Sequence, residues 1–144
     1  MKTANVLRIL AVLVLVGVLL GCSSTPVPPK VYAVGEKASQ AGLDITLNSY
    51  KLGADQILTM NFTVTNTSTK EVNLSTRLTM EGRSAAGTKL IFGMCPANEL
   101  GGKIASGGTI TGDICLAAVT TLDGVTLVFD PTAQQAYTIS WAPR

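Results

Sequence analysis

Between Leu58 and Thr65 apolar and polar residues alternate without a fault, Leu58, Met60, Phe62 and Val64 against Thr59, Asn61, Thr63 and Thr65. Successive side chains leave an extended strand on opposite faces, so only a β-strand lets this stretch bury one set and wet the other. The alternation returns at Val72–Glu81, where Asn73, Ser75, Arg77, Thr79 and Glu81 form the open face, at Ile110–Leu116 and at Tyr137–Trp141. Shorter candidates are Leu43–Leu47, Lys89–Phe92 and Val125–Phe129. Turn formers lie between them: Gly53-Ala-Asp55, Asn66-Thr-Ser68, Gly82 to Gly87, Gly101-Gly102, Gly107-Gly108, Asp123-Gly124 and Asp130-Pro131. No eleven-residue window carries helical apolar spacing, and Ser39-Gln-Ala-Gly offers one helical turn at most. Seven or eight short strands in about 110 residues predict an all-β fold, an antiparallel β-sandwich. With only 5% aromatic residues, its core is expected to be Leu, Ile, Val and Met around Phe62, Phe129 and Trp141, the last read as a core plug.

The first 22 residues read as an address. Lys2 and Arg8 precede the apolar run Ile9–Leu20, and Leu19-Leu20-Gly21-Cys22 then breaks into Ser, Thr and Pro. A charged start, an apolar centre and a small residue at the break are the parts of a cleavable export signal, and this one resembles a bacterial lipobox. The resemblance implies cleavage after Gly21 and a diacylglycerol on Cys22. Leu20 departs from the pattern, since a smaller or β-branched residue is commoner there. As a helix, Ile9–Leu20 would span about 18 Å against a hydrocarbon core of about 30 Å, too short to cross comfortably. Plain secretion and a retained anchor are the other readings.

The expected organisation is a signal peptide over 1–21, a lipidated cysteine and tether over 22–30, and one β-sandwich domain over 31–144. The tether SSTPVPPK (Ser23–Lys30) holds three prolines in eight residues. In polyproline II form, at about 3.1 Å per residue, it would reach roughly 25 Å. Ser23 is not Asp, so in a two-membrane organism the usual inner-membrane retention signal is missing and an outer-membrane location stays open.

Removing the leader also removes Lys2 and Arg8 and leaves nine basic against nine acidic residues. That balance gives no electrostatic case for nucleic acid and no polybasic hold on anionic lipid, so membrane attachment must come from the acyl chains. Two chains anchor stably where one binds reversibly.

The blocks Val34-Gly35-Glu36, Gly42 to Leu47, Phe62-Thr-Val64-Thr-Asn66, Gly102 to Gly112 and Leu127-Val-Phe129-Asp-Pro131 are similar, in order and spacing, to domain of unknown function 4352. That resemblance covers about Val31 to Trp141. It implies an immunoglobulin-like sandwich, related in fold to a mycobacterial secreted antigen and common in bacterial lipoproteins. It implies no catalytic residues.

With Cys22 assigned to lipid, Cys95 and Cys115 remain in a compartment that permits disulfides, and they are expected to pair. By register Cys115 faces away from Ile110, Ile114 and Leu116, so the bridge should pin the loop from Pro96 to Gly108 across a solvent face. Closing a loop of about 20 residues is worth on the order of 3 kcal/mol. Neither cysteine belongs to the family pattern.

Enzyme chemistry finds little purchase. The chain has no histidine, which removes His-based triads, His general bases and His-ligated zinc. Two free cysteines cannot build a structural zinc site, and the dispersed acids form no calcium loop. Asp44, Asp55, Asp113, Asp123 and Asp130 each sit where turns or wet strand faces explain them. Thr67-Ser68-Thr69-Lys70 reads as a hairpin loop, and the glycine pairs lack the Lys-Ser/Thr and helix of a phosphate loop. The expectation is therefore a non-catalytic membrane lipoprotein without cofactor or metal. Its extracytoplasmic domain would serve as a binding or accessory module for a protein partner in the envelope. A carrier with a small apolar ligand between its sheets, and a structural envelope protein, are the alternatives.

Overall fold

The computed structural model describes residues 30–95, 97–129 and 139–141, the last three as backbone only. Leader, Cys22 and the tether up to Pro29, the side chain of Trp141, and the turn at Asp130-Pro131 lie outside the described residues. In chain order the elements are β1 (Val31–Tyr32), β2 (Lys37–Gln40), β3 (Leu43–Leu52), β4 (Leu58–Asn66), β5 (Val72–Ser75), a helical turn α1 (Thr76–Thr79) and β6 (Met80–Arg83). They continue as β7 (Ile91–Phe92), β8 (Gly101–Ile104), β9 (Thr109–Ala117), β10 (Thr126–Phe129) and β11 (Ile139–Trp141). Eight strands have four residues or more, and β1, β7 and β11 are short additions at sheet edges or joins.

Two sheets form the sandwich, one ordered β1-β11-β10-β6 and the other β2-β3-β4-β9-β7, with β5-β8 as a separate pair. Among the described residues the named strands pair antiparallel except β1 and β11, which run parallel, and the isolated bridge Glu99↔Asp113 is also parallel. The inner faces meet in Ile45, Leu47, Met60, Phe62, Val64 and Leu116 from the long sheet and Met80, Leu127 and Phe129 from the short one, none more than 4% exposed. In β4 every second residue is fully buried, as its alternation requires.

β3 carries a correction to simple alternation. Leu43, Ile45 and Leu47 point inward, yet the next inward residues are Tyr50 and Leu52, a phase slip of one. The slip is a β-bulge at Asn48, where pairing passes from Leu47↔Phe62 to Ser49↔Asn61. Without the bulge Ser49 and Lys51 would face the core. The Asn48 amide donates to Asn61 Oδ1 and Thr63 Oγ1, both at 2.9 Å, and holds the extra residue on the outer face.

Ser39-Gln-Ala-Gly makes no helical turn. Ser39 and Gln40 end β2, and Ala41 and Gly42, with φ of 51° and 77°, form the two-residue connection to Leu43. Two successive left-handed residues match the twist of a tight hairpin.

Val72–Glu81, expected as one strand, is three elements. β5 pairs with β8, whereas β6 pairs with β10 in the short sheet, so the chain must change layers within ten residues. It does so through α1, where Thr79 Oγ1 donates to the Ser75 carbonyl at 2.9 Å. The helical turn breaks the alternation at Leu78: Thr76 is still buried, but Leu78, expected inside, is 85% exposed. Gly101-Gly102, expected as a turn, opens β8 with φ of 156° and 108°. Lys89 and Leu90 stay outside β7 and instead close a hairpin with β6, through the Arg83↔Lys89 bridge and a 2.8 Å bond from Leu90 N–H to the Gly82 carbonyl. The loop at Thr67 to Lys70 carries the chain from β4 to β5, strands of different sheets, and so is not a hairpin loop.

Candidate functional site

Cys95 and Cys115 are joined by a disulfide, with their Cα atoms 5.5 Å apart. Cys115 does leave the face opposite Ile114 and Leu116, but that face is not open there: Cys115 is 1% exposed. The chain it is bonded to covers it. Gly93 N–H donates to the Cys115 carbonyl at 2.8 Å, and Leu100 N–H donates to the Asp113 carbonyl at 2.8 Å. Asp113 N–H donates back to the Asn98 carbonyl at 2.6 Å, and the Asn98 amide reaches the Thr111 carbonyl at 2.9 Å. Pinning is therefore concentrated on Gly93, Cys95, Asn98 and Leu100, along the edge of β9 rather than across the sheet surface. Gly112 makes the approach fit, because a Cβ there would lie 2.8 Å from Leu100 Cα and 2.9 Å from Leu100 N.

The remaining outer face of the long sheet is a ladder of polar pairs. Thr65 and Thr109 hydroxyls meet at 2.9 Å, Thr63 and Thr111 at 3.1 Å, and the Asn61 amide donates to Asp113 Oδ1 at 2.6 Å. At the sheet's edge Asp44 accepts from Lys37 at 2.8 Å and from the Ser39 hydroxyl at 2.6 Å, and these bonds, Lys37's first, lower its pKa below the usual 3.8. Glu81 is lowered likewise by Lys89 and then Arg83. Where the chain enters the domain, Glu36 pairs with Lys30 and accepts from Ala33 N–H, and its pKa falls for those reasons in that order. Each of these carboxylates is paired with a nearby cation.

Asn66 has the densest set of bonds and was legible only as a turn residue. It is fully buried. Its amide donates to the carbonyls of Lys70, Ile104 and Ala105 at 2.7, 2.9 and 3.2 Å, and its Oδ1 accepts from Ser68 N–H and Oγ at 2.9 and 2.7 Å. The main chain adds Asn66 N–H to Gly108 O and Gly107 N–H to Asn66 O, each at 2.9 Å. One side chain thus ties the β4–β5 loop to the β8–β9 turn. Turn composition at both segments is visible in sequence; their meeting is not.

Surface clefts occur among the described residues. One, of about 300 Å³, runs beside Leu74, Arg77, Glu99 and Leu100, with Arg77 and Glu99 paired at 3.1 Å. Another, of about 250 Å³, is lined by Ala85, Leu90, Val119, Asp123 and Val125 among others. The most exposed large apolar side chains among the described residues are Leu78, Ile91 at 73% and Met94 at 82%. Among the described residues no three His, Cys, Asp or Glu side chains converge as a metal site would need, and no helix is long and apolar enough to cross a membrane.

This arrangement defines an immunoglobulin-like β-sandwich, and solved structures share it. The yjhA protein of Bacillus subtilis matches with a TM-score of 0.65 at 14% identity, over 79% of this chain and 100% of that one. MPT63, a secreted protein of Mycobacterium tuberculosis, matches at 0.61 and 17%, over 80% and 98%. A candidate lipoprotein of Bacillus subtilis, ycdA, matches at 0.55 and 14%, over 74% of this chain and 38% of its own. No family model matches the chain, and no curated sequence matches it at a significant level. What is shared at these identities is the fold.

Proposed function

We propose that the chain is a bacterial envelope lipoprotein, held by an acylated Cys22 on the extracytoplasmic face of a membrane, whose sandwich serves as a non-catalytic binding or accessory module. The carrying observation is the nearness of address and domain. β1 begins at Val31, nine positions beyond Cys22, and the Lys30–Glu36 pair ties down its entry. Eight intervening residues rich in proline would hold the domain within roughly 25 Å of the acyl chains. The secreted and lipoprotein-candidate proteins that share the fold support the same location, and the strand and turn blocks named above support membership in domain of unknown function 4352. A protein partner in the envelope would meet either a strand edge or the segment over Cys115.

Replacing Cys22→Ala in the full chain tests the anchor. Wild type should sediment with membranes and the variant should be released. Equal membrane partitioning of the two would reject the reading.

A further inference from the structure

We propose that residues 93–95 and 97–99 form a strap over one edge of β9, and that the Cys95–Cys115 disulfide is a redox latch on it. On its other side β9 is paired with β4 along eight residues, Leu58↔Leu116 to Thr65↔Thr109. On the strap side cover comes at two places: β7 and Gly93 bond to Ala117, Leu116 and the Cys115 carbonyl, and Asn98 to Leu100 pair around Asp113. Between these two anchor points the disulfide holds the chain down. Most of the strap's described residues are open to solvent. Met94 is 82% exposed and Ala97, Asn98 and Glu99 are exposed, while Leu100, at 2%, keeps the far end in the core.

Access fixes the chemistry of opening. Cys115 Sγ is buried beneath the strap and Cys95 is half-buried at its surface, so an external dithiol meets Cys95 first. Its thiolate attacks Cys95 Sγ, the Cys95–Cys115 bond breaks, and Cys115 leaves as a thiolate that takes a proton from water. Thr59 Oγ1, 3.8 Å from the Cys115 sulfur, is placed to donate to the leaving thiolate. The reductant's second thiolate then attacks its own sulfur in the mixed disulfide and releases Cys95, which is protonated in turn. Two electrons and two protons reach the protein, and the dithiol becomes a disulfide. With the latch open, the Asp113 N–H and carbonyl lose their strap partners.

Hydrogen exchange on the full chain, oxidised or reduced with dithiothreitol, tests the latch. Within minutes, the Asp113 and Leu100 amides should exchange at least about tenfold faster after reduction, while those of Ile45 and Phe62 stay protected over that window. Cys95→Ser should reproduce the reduced pattern without reductant. Unchanged exchange at Asp113 in either case overturns the proposal. So does simultaneous loss of protection at Ile45 and Phe62, which would make the bond a staple of the whole sandwich.

Discussion

At the scale of single residues, the fold leans on side chains whose worth is set by partners far along the chain. Asn66→Ala strips donors from the Lys70, Ile104 and Ala105 carbonyls and the acceptor from Ser68. Buried groups left unpaired cost about 1–3 kcal/mol each before relaxation, so urea denaturation should show a loss of about 3 kcal/mol. A loss below about 1 kcal/mol would mean water replaces the amide. Gly112→Ala should cost about 2 kcal/mol, because its Cβ meets the Leu100 backbone, which cannot turn aside. Gly82→Ala is the contrast: its Cβ would approach the Leu116 side chain at 2.6 Å, and a side chain can change rotamer. Thermal melts of the pair should rank Gly112→Ala as the more damaging. Neither requirement could be read from sequence, where Asn66 and Gly112 look like an ordinary turn former and a weak point in a strand. Both depend on which segment folds alongside.

At the scale of elements, alternation was a sufficient guide wherever a strand stays in one sheet. β4, β9 and β10 lie within a residue of their expected bounds because period two survives when one face is buried throughout. It misled at Val72–Glu81, where apolar spacing continues across a layer change and α1 turns Leu78 outward. It undercounted β3, whose second half is out of phase beyond the Asn48 bulge and so reads as polar noise. The β2–β3 hairpin makes its own prediction through Asp44. The pKa of that carboxyl is lower folded than unfolded, so its stabilisation is full above the unfolded value near 3.8 and is lost as pH falls through the lower folded one. Asp44→Asn should therefore cost less than about 1 kcal/mol at neutral pH, and that difference from wild type should vanish below the folded pKa. Denaturation midpoints measured from neutral pH down to about 2 follow this directly; a gap that widens in acid would contradict the assignment.

For the whole molecule, a sandwich was legible because many short half-buried strands separated by turn residues have few other ways to hide their apolar faces. The grouping of strands into sheets was not legible, since β1∥β11 and β5-β8 join segments remote in sequence. The disulfide was predicted by elimination among three cysteines, but its setting was missed. A cysteine on the outer face is expected to be wet, and Cys115 is dry because the strap that it bonds also covers it. Lipid anchoring is the claim on which location, tether and role together depend. The mass of the mature polypeptide, purified from membranes of cells making the full chain, tests it most directly. The account predicts a chain beginning at Cys22 and heavier than the polypeptide alone by a diacylglyceryl group; a chain that keeps its leader, with Cys22 unmodified, would contradict it.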